Sequence, residues 1–235
     1  MKRAFIRGVW GIYDNSHRIL SRRKKIDTDI ERILNCKFNE PFVTYVMGDD
    51  NFKRMTDKGF NCVQTHKEPN PFDLIKHQYR HKLELIRYAM EKDKYDEIVY
   101  MDWDCVPQKN ISTNFWAEMG KRGVLQACLQ QYFRKKCFWR KTDLRKVPNG
   151  GFIYIRDNTI PSQVIQAWET MKQDNDEPAW AKISDQLMGG WQDTETSMQK
   201  YWDMFEPMFC NLHRGSPFPV DKLKSKDVCF IHYLG

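Results

Sequence analysis

Tyr95-Asp96-Glu97-Ile98-Val99-Tyr100-Met101-Asp102-Trp103-Asp104-Cys105-Val106-Pro107 is the stretch on which the fold turns. Tyr95 and Asp96 close a helical pattern, residues 97–101 read as a short buried strand, and two carboxylates follow at once. In an extended chain alternate side chains share a face. Asp102 and Asp104 are therefore expected to point the same way, with Cα atoms about 7 Å apart, and Trp103 the other way. Before this strand the spacing predicts a helix over residues 73–92, with Leu83, Leu85, Ile86, Ala89 and Met90 on its apolar face and His81 off it. Further upstream, strands are expected over 4–12, 41–47 and 59–64. A helix is expected near 27–34, N-capped by Asp27 or Thr28. Gly48-Asp49-Asp50-Asn51 stops the second strand, and a short helix follows. Downstream come strands over 123–129 and 152–155, a helix near 163–172 and a segment around 185–191. Strands separated by helices predict an α/β chain: a single domain with a parallel or mixed sheet and helices on both faces. Ligands of such sheets bind beyond the carboxyl ends of the strands, so the residues just after each strand are the candidates.

Composition narrows the function. The chain has 235 residues, enough for one domain with a core that needs no disulfide or structural metal. No apolar run approaches the ~20 residues of a membrane-spanning helix, and Met1-Lys2-Arg3-Ala4-Phe5-Ile6-Arg7 lacks a signal-peptide core. The seven cysteines are odd in number and form no C-x-x-C pair, which predicts reduced thiols in a reducing compartment and no zinc site. The net charge of +7 predicts an anionic partner: nucleic acid, a phospholipid surface or a phosphorylated small molecule. Basic residues gather at Arg22-Arg23-Lys24-Lys25 and over 134–146, the latter beside Phe133 and around Phe138 and Trp139. No helix-turn-helix, zinc or stacking-sheet pattern accompanies them, which excludes a nucleic-acid-binding module as the leading reading.

Two carboxylates at a sheet's carboxyl edge can hold a hard divalent cation that neutralises a diphosphate. The quoted stretch resembles the strand and D-x-D signature of GT-A-fold nucleotide-sugar glycosyltransferases. Three later segments follow in the order found in family-eight-type enzymes such as glycogenin and the bacterial lipooligosaccharide galactosyltransferases. Asn149-Gly150-Gly151-Phe152-Ile153-Tyr154-Ile155 is similar to their Asn-x-Gly strand. Ser184-Asp185-Gln186-Leu187 is similar to their Asp-Gln segment, and Phe230-Ile231-His232-Tyr233-Leu234-Gly235 to their His-x-x-Gly element. Over the first 70 residues only the strand–helix pattern is shared.

The resemblance implies a single GT-A, Rossmann-like domain over 1–235 with a mixed, mostly parallel central sheet flanked by helices, divided into a nucleotide-binding half (1–101) and a metal, donor-sugar and acceptor half (102–235). Asp102, Asp104 and His232 are the implied metal ligands. One imidazole among oxygens suits Mn²⁺, with Mg²⁺ as the alternative. Lys82, with Arg80 and Arg87 as rivals, falls where related enzymes place a cation toward the nucleotide sugar. Trp10, Gly11, Tyr13 and Asp14 would seat the base, although core packing explains Trp10 equally well. Trp103, Gly150 and Gly151 are further donor-site candidates. Asn149 would orient donor or acceptor, Asp185 bind sugar hydroxyls, and Gln186 lie near the anomeric carbon. Retention is implied; for inversion the candidate bases are Asp185 and then Asp157. The partners implied are a nucleotide-sugar donor, UDP-linked by resemblance, and a glycan, glycoprotein or lipid acceptor near residues 133–146, with peripheral membrane contact open. The lysine such enzymes carry after the final glycine has no counterpart, so that Lys222, Lys224, Lys226 or Arg214 would replace it or donor binding would be weaker. The lack of the transmembrane anchor of Golgi members points to a soluble, cytoplasmic enzyme of bacterial, viral or cytosolic origin. A nucleotidyltransferase on the same fold is the rival, but it ordinarily carries a Gly-rich first loop, where this chain has only Gly8 and Gly11.

Overall fold

The computed structural model describes residues 1–10, 30–31, 33–66, 78–103, 105–107, 110–111, 114–121, 124–129, 148–171, 176–187, 209–213 and 230–234. For residues 66, 78, 126–129, 148–149, 184–185, 209–213 and 231–234 it describes the backbone alone. The elements are β1 (Arg3–Val9), β2 (Phe42–Met47), α1 (Asp49–Asp57), β3 (Cys62–His66), α2 (Gln78–Glu91), β4 (Glu97–Met101) and β5 (Cys105–Pro107). They continue with α3 (Phe115–Lys121), β6 (Leu125–Leu129), β7 (Pro148–Ile155), α4 (Ile160–Met171), α5 (Glu177–Leu187), β8 (Phe209–His213) and β9 (Phe230–Leu234).

Six strands form the central sheet in the order β3-β2-β1-β4-β7-β6. β1 to β4 pair in parallel, β7 runs against both β4 and β6, and the sheet is therefore mixed and mostly parallel, as expected. It draws strands from both sides of residue 101. Period-two alternation sorts the core onto its two faces. Ala4 and Ile6 of β1, with Ile98 and Tyr100 of β4, pack under α2, α4 and α5. Phe5, Val99, Met101, Phe152 and Tyr154 face the opposite way, onto Phe115, Trp116 and Phe230.

Several boundaries differ from the sequence expectation. Gly48 to Asn51 is no separate turn, because Asp49 and Asp50 already form the first turn of α1, where carboxylates suit the helix dipole. β3 begins at Cys62 rather than Gly59. Gly59, at φ +90°, ends α1 in a Schellman motif: its N–H donates to the Thr56 carbonyl and that of Phe60 to Met55. His81, expected off the apolar face of α2, is buried beside it. β7 begins at Pro148 rather than Phe152, so Gly150 and Gly151 belong to the strand. α5 starts at Glu177, well ahead of the segment expected there. A second sheet, β5-β9-β8, was not legible in the pattern because its strands are short and far apart in sequence.

Among the described residues Cys36, Cys62 and Cys105 are free thiols, and no helix is long and apolar enough to cross a membrane. The clusters around residues 22–25 and 134–146 lie outside the described residues.

Candidate active site

The carboxyl ends of β1 and β4 lie side by side, with Ile6 opposite Tyr100. Because β7 is antiparallel to β4, with Met101 opposite Phe152, its first residues arrive at the same edge. The Asp102 N–H donates to the Gly151 carbonyl at 2.8 Å, which places Asn149 and Gly150 one or two residues beyond. Tertiary structure thus gathers the ends of β1 and β4 and the start of β7 from three distant parts of the sequence.

The chain turns back after Asp102. The Cys105 N–H donates back to the Asp102 carbonyl at 3.0 Å, so residues 102–105 form a turn. Asp104, on which the expected spacing of about 7 Å depends, lies outside the described residues. Asp102 and Trp103 do face opposite ways. Asp102 stands on the α2 side with Lys82, and Trp103 on the other side against Phe60, with ring centroids 5.8 Å apart. The Trp103 indole N–H donates to the Gly8 carbonyl at 2.8 Å.

Lys82 is the helix cation brought to this edge. Its Nζ lies 3.0 Å from Asp176 Oδ2 and 3.8 Å from Asp102 Oδ2. Lys82 and Asp176 are 3% and 1% exposed, whereas Asp102 is 34% exposed and can meet a ligand. The rivals point elsewhere: Arg80 pairs with Glu169 and Glu84, and Arg87 with Glu84. Burial alone pulls the Lys82 ammonium downward, but the carboxylates of Asp102 and Asp176 outweigh it and hold it above the ordinary lysine value. Tyr100, fully buried beneath, donates its hydroxyl to Asp102 Oδ1 at 2.7 Å. Burial first, and then the charge of Asp102, raise its phenol well above the usual tyrosine value, so it remains a donor. Asp102 is thus oriented through both oxygens, by a hydroxyl and by an ammonium. The Gly150 backbone runs against this pair: a Cβ there would sit 2.6 Å from Lys82 Nζ and 2.9 Å from Asp176 Oδ2.

Asp176 and Arg7 escaped the sequence reading. Asp176 caps α5, its carbonyl accepting from the N–H groups of Ala179 and Trp180 and its Oδ2 from the Trp180 indole at 2.8 Å. The available signal was Asp176-Glu177-Pro178 before an apolar face, a helix start. Asp185 and Gln186 lie nine and ten residues on, in the last turns of the same helix. That is roughly 13–15 Å along the axis, and Gln186 is exposed. Arg7 is a cation inside an apolar strand, Ala4-Phe5-Ile6-Arg7-Gly8-Val9, which is itself a signal.

The remaining candidates divide. Trp10 is half-buried at the end of β1 and packs with the α2-side core. A Cβ on Gly8 would lie 2.5 Å from its ring. Gly11, Tyr13, Asp14, Lys222, Lys224, Lys226 and Arg214 lie outside the described residues. His232, described by its backbone, sits on β9 opposite Cys105, one residue from Asp104. Among the described residues no three His, Cys, Asp or Glu gather as a metal cluster. Of the three expected ligands only Asp102 has a described side chain, and its donor chemistry and exposure fit a hard cation. Asp157 does not reach the site. By the β4–β7 register it lies at the far edge of the sheet, roughly 20 Å away at ~3.3 Å per residue. There its Oδ1 accepts from the Thr159 N–H and hydroxyl.

No protein-family profile and no curated protein matches the chain. Solved structures similar to it include the glycosyltransferase GlyE of Streptococcus pneumoniae TIGR4. The apo form is 11% identical and a second structure 13%, both at TM-score 0.46, covering 100% of this chain and 55% of theirs. This chain thus spans about 55% of the length of those proteins. Mouse xyloside xylosyltransferase 1, apo form, is 13% identical at TM-score 0.46, over 99% of this chain and 98% of that one.

Proposed function

We propose that this chain is a metal-dependent glycosyltransferase that moves a sugar from a nucleoside-diphosphate sugar, UDP-linked by resemblance, to a glycan, glycoprotein or lipid acceptor, with retention. One observation carries the reading. Asp102, Lys82, Asp176 and the Gly150-Gly151 backbone converge at the carboxyl edge of a mostly parallel sheet, and β9 brings residue 232 to the same turn.

Asp102, Asp104 and His232 would hold the cation, Mn²⁺ or Mg²⁺, which supplies charge neutralisation of the departing diphosphate. The chain's own groups then divide the work. Tyr100 holds Asp102 Oδ1 by a hydrogen bond, leaving the partly exposed carboxylate oriented toward the edge. Lys82, kept charged by its two carboxylates, offers a buried cation at the donor side. Asp176, buried and held by Lys82 and Trp180, fixes the Lys82 ammonium, while the sugar-hydroxyl role stays with Asp185 on α5. Asn149, adjoining Gly150, would orient donor or acceptor; Gln186, ten residues along α5 from Asp176, is assigned to the anomeric carbon by resemblance alone. Trp10 follows β1 at the same edge, and with Gly11, Tyr13 and Asp14, which come after it in the sequence, it would seat the base. With retention no strong protein base is required, which accords with the position of Asp157 at the far edge.

The test is a panel of nucleotide sugars incubated with Mn²⁺ and scored by release of nucleoside diphosphate, with and without EDTA. Turnover with one donor, abolished by EDTA and by Asp102→Ala or Asp104→Ala, is the expected result. No donor-dependent turnover or binding, with both variants behaving as wild type, refutes it. Anomer-resolved NMR of the product decides retention.

A further inference from the structure

We infer that Arg7 is a positioning residue: it sets the shape of the 102–105 turn and so places the carboxylates that the proposed function assigns to the metal, a consequence that rests on that reading. Arg7 lies in the middle of β1, an interior strand flanked by β2 and β4. It is 0% exposed, and its neighbours on the same face, Phe5 and Val9, are apolar. An arginine taken out of water at such a place is costly unless its donors are used. Two of them go to the turn. Nη2 donates to the Cys105 carbonyl at 2.5 Å, and Nη1 reaches the Trp103 carbonyl at 3.5 Å. These two carbonyls belong to the residues on either side of Asp104.

The guanidinium plane is itself held. Its carbon lies 5.3 Å from the Phe42 ring centroid and 5.1 Å from that of Trp103, so two aromatic rings clamp it. Trp103 returns the contact through its indole N–H to the Gly8 carbonyl, the residue after Arg7. β1 and the turn are thereby latched in both directions, with Phe60 buttressing the indole edge-on. The clasp works from the face opposite Lys82, so it shapes the backbone without occupying the donor side. A planar fork of fixed geometry can span two carbonyls; a lysine ammonium keeps the charge but not that geometry.

Arg7→Lys in the full chain separates this role from general stability. Three quantities are read: amide hydrogen exchange of peptides covering 102–107 against peptides from α4, Mn²⁺ affinity by EPR titration, and the Mn²⁺ dependence of donor turnover. The expected result is exchange over 102–107 faster by at least tenfold with α4 unchanged, and Mn²⁺ affinity lower by about 10- to 100-fold, the range for residues that orient metal ligands. Exchange and Mn²⁺ affinity of Arg7→Lys both within twofold of wild type overturn the inference. Asp102→Ala is the control for the underlying reading. Wild-type Mn²⁺ binding that is absent, or equal to that of Asp102→Ala, sinks the metal assignment and this role with it, while the exchange data still report whether Arg7 shapes the turn. If Arg7→Lys does not fold, Trp103→Phe removes the link to Gly8 and shrinks the ring against Arg7 while keeping an aromatic there, and the same faster exchange over 102–107 is required of it.

Discussion

Replacing Lys82 by Met keeps most of the stem that crosses the α2-side core and removes the ammonium. Asp176, 1% exposed, then stands without the cation 3.0 Å away, and Asp102 loses a cation at 3.8 Å. At an effective dielectric near 20 the attraction at 3.0 Å is about 5 kcal/mol, most of it offset by desolvation of the two ions. Deletion of one partner removes the attraction but leaves the other ion buried, for which about 3–5 kcal/mol is the usual cost. Asp102, a third exposed, adds little because water screens it. For a chain of this length, at roughly 2–4 °C per kcal/mol, the melting temperature should fall by about 6–20 °C. Urea denaturation followed by circular dichroism measures the free energy, and Asp176→Leu with Lys82→Met completes a double-mutant cycle. The double variant should recover part of the loss, because a paired buried charge is then replaced by apolar volume. A Lys82→Met chain within about 0.5 kcal/mol of wild type, or a cycle with no coupling, would refute the account of this pair as a buried, mutually dependent structure.

Gly150→Ala places a Cβ within 3 Å of both members of the same ion pair, and should cost about 1–3 kcal/mol in denaturant titrations while lowering donor turnover. Asp157→Ala should cost only ~1 kcal/mol, from the hydrogen bonds to Thr159, and leave nucleotide release unchanged; a collapse of turnover would place the reacting centre elsewhere. Burial raises the phenols of Tyr45, Tyr100 and Tyr154, helped by Asp93, Asp102 and Glu97 respectively. Because the folded values exceed the unfolded value near 10, the folded state holds these protons longer, so stability is full below about pH 10 and declines as the pH rises beyond it. Absorbance titration at alkaline pH should show part of the tyrosine signal appearing only together with loss of the circular dichroism of folding.

Local patterning settled much in the sequence itself. The run Glu97-Ile98-Val99-Tyr100-Met101 is β4 with the bounds expected, because a short apolar run after a helix end has one good use in a sheet covered on both faces. Leu83, Leu85, Ile86, Ala89 and Met90 are buried on α2 as their spacing requires. Asp102 and Trp103 do stand on opposite faces as expected, although a turn and not extended alternation sends them there. What the sequence could not show is which distant pieces meet. That β7 runs antiparallel to β4, bringing Gly150 and Gly151 to Asp102 and carrying Asp157 to the far edge, depends on sheet order and direction. The pairing of Lys82 with Asp176, 94 residues apart, follows from packing α2 and the start of α5 on one face of that sheet. The burial of Arg7 under a turn almost a hundred residues away has the same origin. Periodicity is a local property of the chain. Register, strand direction and the satisfaction of a buried charge are fixed only when the pieces close around a common core.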